Sequence, residues 1–112
     1  MDILDKELIK QYMDALGNEV FNQTVDLYIE QSKIYLNQLS NAISTKDYSL
    51  WQESCHILKS ASGNTGLKQV FTKAGDVEYS RQDFEQLAKD LDELHEINNV
   101  SIVQIQKWLA QC

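Results

Sequence analysis

Residues 55–67 read Cys-His-Ile-Leu-Lys-Ser-Ala-Ser-Gly-Asn-Thr-Gly-Leu and concentrate the chain's candidate chemistry. A neutral imidazole near pH 7 is a competent nucleophile. Lys59 follows His56 by three residues. On a helix that is one turn along the same face, where its ammonium can meet an anion as a point charge. A phosphoryl group brings roughly −1.5 to −2 charge and several acceptor oxygens. The N–P bond of a phosphohistidine has a high transfer potential, so the group can move on. Ser60 and Gly63 leave nothing bulky beside the imidazole. These residue types suit the holding of a phosphoryl group that another protein delivers and removes.

The face on which these residues sit depends on helical phase. With about 100° per residue and Trp51 at zero, Cys55, Leu58 and Ser62 fall within about 40° and form the buried stripe. His56 lands about 140° away, on the solvent side with Gln52, Lys59, Ser60 and Gly63. An exposed histidine by itself is ordinary surface decoration, and so is Lys59. The combination with small neighbours raises the functional reading. A glycine inside a helix costs about 1 kcal/mol relative to alanine. Gly63 therefore marks either the close approach of a partner or a helix end, and the sequence leaves both open.

Five helices are expected to position this stretch. Residues 2–16 form a short amphipathic helix with Leu4, Leu8, Ile9, Tyr12 and Leu16 on one face, ended by Gly17 as a left-handed cap. A long helix follows over about 18–45, with Phe21, Val25, Tyr28, Ser32, Tyr35, Leu39 and Ile43 recurring at spacings of three and four. Asp47 caps the motif helix, which runs to about residue 64, and Gly66 makes the turn. The fourth helix spans about 67–80, with Leu67, Val70, Phe71, Ala74 and Val77 inward. Asp83 caps the last, whose stripe is Phe84, Leu87, Leu91, Leu94, Asn98, Ile102, Ile105 and Leu109. Asn98, Asn99 and β-branched Val100 suggest a break in its middle. No segment alternates with period two. Short connections between long helices predict an all-α fold, an antiparallel up-down four-helix bundle with a short additional N-terminal helix, in a single domain over residues 1–112.

In a hairpin turning at Gly66, His56 lies ten residues before the turn and Glu78 twelve after it. The two then sit at similar heights. Glu78 is either a solvated surface glutamate or a partner that accepts from one ring nitrogen and leaves the other free to react.

Composition narrows the function classes. The absence of proline, with only four glycines and an apolar fraction of 43%, suits long helices and argues against a disordered chain. Seventeen acidic against ten basic residues give a net charge of −7, a poor match to nucleic acid, which needs a basic footprint. No run approaches the ~18 apolar residues of a membrane span. The start Met-Asp-Ile-Leu-Asp-Lys lacks the pattern of a signal peptide. Cys55 and Cys112 fit no metal spacing and read as free thiols, Cys55 core-facing and Cys112 frayed, which points to a reducing, cytoplasmic setting. His95 falls on the apolar edge of the last helix and is expected to be partly buried. It does not pair with His56 as a metal site, and no metal or other cofactor is expected. Tyr28, Tyr35 and Trp51 sit at core spacing and need none.

The stretch 55–66 resembles the signature of histidine-containing phosphotransfer (HPt) domains of multistep phosphorelays. That pattern is a histidine, any residue, leucine, lysine, three small residues, and a glycine ten positions after the histidine. Chain length and helix order are also similar, so the resemblance covers nearly the whole chain. It implies that His56 is the phosphoacceptor, reacting through Nε2, and that Lys59 stabilises the phosphoryl group. Gln52, Ser60 and Gly63 would form the docking surface, and Glu78 matches a position where many members place a glutamine or another polar residue that contacts the histidine. Ser60 departs from the glycine common there, and a carboxylate at position 78 would repel a nearby phosphoryl group.

The partners implied are the receiver domain of a hybrid sensor histidine kinase and that of a response regulator, with Mg²⁺ supplied by the receiver. The chain carries no Gly-rich ATP-binding loop or kinase motif, so it is expected to be a phosphorelay carrier, not an autokinase or other enzyme. The start at Met1 without flanking sequence suggests a stand-alone protein, and it is expected to be monomeric. The competing reading is a helical-bundle adaptor that binds signalling partners without phosphotransfer, with His56 incidental.

Overall fold

The computed structural model describes residues 2–111. Five helices follow one another: α1 (Lys6–Leu16), α2 (Asn18–Thr45), α3 (Tyr48–Thr65), α4 (Lys68–Val77) and α5 (Phe84–Ala110), and no strand occurs among the described residues. Helices α2 to α5 close a four-helix ring in which α2 packs on α3 and α5, and α4 packs on α3 and α5; α1 lies against α2. The longest dimension is 43 Å, which is the length of 28-residue α2 at about 1.5 Å per residue. The expected up-down bundle with a short extra N-terminal helix is the observed fold.

Three helices begin where an aspartate caps them. Asp5 Oδ1 accepts from Leu8 N at 3.2 Å, Asp47 Oδ1 from Leu50 N at 3.0 Å, and Asp83 Oδ1 from Gln86 N at 2.9 Å. Capping by Asp5 starts α1 at Lys6, so residues 2–4 precede the helix, although Leu4 is still buried. Gly17 ends α1 with φ 85° and ψ 159°. Its φ is positive as expected, but its ψ lies outside the left-handed helical region, and the chain passes directly into α2. Leu16, expected inward, is half exposed.

One hydrophobic core runs through the bundle, with Ile9, Phe21, Leu39, Trp51, Leu58, Leu67, Leu87, Leu94 and Ile105 fully buried. Asn98 sits inside it. Its Oδ1 accepts from the Tyr28 hydroxyl at 2.6 Å, and its Nδ2 donates to Ser32 Oγ at 3.1 Å. These bonds satisfy the buried amide, and α5 runs unbroken through residues 98–100 where a break was expected.

Two further inward placements change. Phe71 is 41% exposed, because the buried stripe of α4 is Leu67, Val70, Ala74 and Val77, and Phe71 falls roughly 80° from its centre. His95 is exposed rather than partly buried, beside a groove between α2 and α5. The stripe Leu87, Leu94, Asn98 and Ile105 leaves it roughly 75° off axis. Cys112 and Met1 lie outside the described residues.

Candidate functional site

Helix α3 presents His56 to solvent because its other face is committed to the core. Trp51, Cys55, Leu58 and Ser62 are fully buried, and the His56 side chain keeps 64% exposure. Gly66 ends the helix in the left-handed region, φ 83° and ψ 18°, with its N–H bonded to Ser62 O and Gly63 O. A Cβ on Gly66 would stand 2.5 Å from Ile9 Cγ1, and Gly66 O accepts from Asp5 N at 2.8 Å. Helix α1 therefore clamps the α3–α4 turn, a contact with no signature in the local sequence. Gly63 is not a helix end, since α3 runs on to Thr65.

The turn folds α4 back along α3, and contacts descend in order. Gly63 meets Phe71, Lys59 meets Gly75, and His56 meets Glu78. His56 Nδ1 lies 3.3 Å from Glu78 Oε1. Glu78 is only 2% exposed, not the surface glutamate that was one of the two expectations. Its position is fixed from both sides. Trp51 Nε1 donates to Val77 O at 2.9 Å, pinning the last turn of α4 to α3. The following loop is tied to the start of α3 by Tyr48 Oη donating to Gln82 O at 2.7 Å and by Arg81 donating to Gln52 Oε1 at 2.7 Å.

An ionised carboxylate only accepts, so a hydrogen bond across the 3.3 Å contact requires the imidazole proton on Nδ1, a tautomer in which the Nε2 lone pair is free. The same carboxylate reaches two other groups. A hydrogen bond to Glu78, and then its charge, raise the phenol of exposed Tyr79 above the ordinary tyrosine range. Burial pushes the Cys55 thiol up to about 12, with the charges of Glu78 and Asp90 adding to it. Cys55, next to His56 in sequence, is thus held as an unreactive thiol near neutral pH.

Lys59 lies one turn beyond His56, with its stem against Gly75 and its ammonium 5.5 Å from the centroid of the Phe71 ring. Gly63, one turn further, is covered by that ring: a Cβ there would stand 2.7 Å from Phe71 Cδ2. The bare backbone at Gly63 is therefore filled from within the molecule. Ser60 is exposed and lines a surface hollow of about 550 Å³ with Gly63, Asn64, Lys68, Phe71 and Thr72. A second hollow, about 390 Å³, opens at the imidazole and is lined by Ser49, Gln52, Glu53, His56, Glu78 and Tyr79. Of the residues singled out in the sequence, His56, Glu78, Lys59 and Gln52 thus gather along the α3–α4 face, with Ser60 and Gly63 continuing it. Phe71, Gly75, Tyr79 and Arg81 join them unannounced, since each comes from α4 or the loop after it and carries no motif.

Among the described residues no group of three or more histidine, cysteine, aspartate or glutamate side chains could hold a metal ion, and no helix is long and apolar enough to cross a membrane.

No family model matches the sequence, and no curated protein matches it. Two solved structures match over nearly their whole length. The histidine-containing phosphotransfer domain of ArcB from Escherichia coli superposes with a TM-score of 0.86 at 18% identity, covering 97% of this chain and 94% of that one. Histidine-containing phosphotransfer protein B from Pseudomonas aeruginosa PAO1 gives a TM-score of 0.86 at 15% identity, covering 98% and 96%. At such identities the likeness is one of architecture: this chain has the helical-bundle fold of those two phosphotransfer proteins.

Proposed function

We propose that this protein is a histidine phosphotransfer carrier that accepts a phosphoryl group on His56 from a receiver-domain aspartate and passes it to the receiver of a response regulator. The observation that carries the proposal is the exposed imidazole with Nδ1 3.3 Å from the buried Glu78 carboxylate. That contact supports an Nδ1–H tautomer with Nε2 as the nucleophile. The fold shared with two histidine-containing phosphotransfer proteins supports the same reading.

The step is an in-line displacement. The Nε2 lone pair forms a bond to phosphorus as the bond from phosphorus to the aspartyl oxygen breaks, and the bonding pair leaves with the carboxylate. No proton needs to move. The ring becomes cationic, with its Nδ1–H still directed at Glu78, so the carboxylate that orients the ring also meets its new charge. Lys59 offsets charge on the phosphoryl oxygens. Mg²⁺ and the acidic residues that bind it belong to the receiver. The proposed carrier is a monomeric cytoplasmic protein with no catalytic turnover of its own; positioning and charge stabilisation carry the reaction.

Transfer of label from a phosphorylated receiver domain tests the proposal. Wild-type protein is expected to take up acid-labile, base-stable label, and His56→Gln to take up none. A wild type that binds the receiver without acquiring label is an adaptor instead.

A further inference from the structure

Lys59 is the cation of the proposed site, and the contacts of its side chain are with Gly75 and with Phe71, the ring seated on Gly63. The ammonium stands over the Phe71 ring, 5.5 Å from the centroid, within the range of a cation–π contact. The stem crosses Gly75, where a Cβ would meet Lys59 Cε at 3.4 Å and Cδ at 3.5 Å. Along the antiparallel pair, Glu78 stands opposite His56, Gly75 opposite Lys59 and Phe71 opposite Gly63. The lysine therefore reaches towards the Gly63 end of the face, and none of the ion pairs among the described residues involves it. The ring is itself seated on the bare backbone of Gly63.

We infer that Phe71 is a resting seat for the Lys59 ammonium in the unphosphorylated protein, and that Lys59 leaves it when His56 carries a phosphoryl group. The inference rests on the phosphotransfer reading and assigns Phe71 as a positioning residue within it. A carboxylate in place of the ring would neutralise the ammonium and hold it firmly. An aromatic face fixes it weakly and leaves its charge intact. A phosphoryl dianion outbids a ring quadrupole for the same cation, and Gly75 puts no side chain in the path of the stem.

The consequence is a linkage. A contact made only before phosphorylation opposes phosphorylation by its own free energy. Removing the ring should raise the equilibrium share of phosphoryl group on His56 by about two- to fivefold, the size of an exposed cation–π contact. A docking role for Phe71 would change transfer rates in both directions and leave this equilibrium unmoved.

The test is the partition of label between a phosphorylated receiver domain and the full chain at equilibrium. Wild type, Phe71→Leu and Phe71→Tyr are compared, each also in a Lys59→Ala background, with circular dichroism to verify folding. Phe71→Leu is expected to shift label towards His56 by about two- to fivefold. Phe71→Tyr should match wild type, and Phe71→Leu should have no effect once Lys59 is alanine. In NMR spectra, ring-current shifts of the Lys59 methylenes should be present before phosphorylation and lost after it. An unchanged partition for Phe71→Leu, or the same shift without Lys59, overturns the inference and leaves the phosphotransfer reading standing. A wild type that takes no label overturns both.

Discussion

The buried carboxylate of Glu78 and the exposed imidazole of His56 meet across the α3–α4 pair, Oε1 to Nδ1 at 3.3 Å. Burial of one partner and exposure of the other divides the labour: Glu78 is held in place by packing, and His56 stays open to a second protein. Glu78→Ala is expected to slow label transfer to His56 by about tenfold or more, the value of a hydrogen bond to a charged group. Glu78→Gln should lose less, since its amide oxygen still accepts from Nδ1–H. Stopped-flow or quench measurement of transfer from a phosphorylated receiver decides it. Equal rates for Glu78→Ala and wild type would remove Glu78 from the mechanism.

Lys59→Ala should slow transfer, or shorten the lifetime of the phosphoprotein, by about tenfold. Alanine is the strongest helix former, so the circular dichroism spectrum should not change. Wild-type transfer and lifetime in this variant would reduce Lys59 to surface decoration.

Gly66→Ala meets two penalties in one residue. Its φ of 83° is strained for any side chain, and its Cβ would collide with Ile9. A loss of about 1–3 kcal/mol is expected. Urea denaturation should show a lower midpoint, while an unchanged midpoint would mean that α1 does not clamp the α3–α4 turn in solution.

Much of this arrangement is legible in the chain itself. The three-and-four spacing of Phe21, Val25, Tyr28 and Ser32 marks α2, and counting residues to either side of Gly66 puts Glu78 level with His56. The misses have a common origin. Phe71 and His95 both lie at the edge of an apolar stripe, and the buried residues of α4 and α5 centre those stripes roughly 75–80° away from them. Asn98 reads as a weak point because its partners, Tyr28 and Ser32, lie about 70 residues earlier on another helix. The depth of Glu78 and the seating of Phe71 on Gly63 arise from how α4 packs against α3, which no local pattern encodes.

Cys55 offers a check on the electrostatics. Its thiol is raised from 9.0 to about 12, first by burial and then by the charges of Glu78 and Asp90. A raised acid favours the folded state in its protonated form. The associated stability is present in full below pH 9 and is lost as pH rises towards about 12. In a Cys112→Ser background, which isolates Cys55, iodoacetamide at pH 8 should modify the native protein far more slowly than the urea-unfolded chain. Comparable rates would contradict the buried, unreactive thiol.

The most direct measurement is the chemical identity of the phosphorylated atom. The protein is incubated with a phosphorylated receiver domain, and the product is examined by ³¹P and ¹⁵N NMR with site mapping by mass spectrometry. Phosphoryl group on Nε2 of His56, and none on a His56→Gln variant, is the expected result. Phosphorylation at Nδ1, at another residue, or nowhere in a folded wild-type protein would contradict the role assigned to the His56–Glu78 pair.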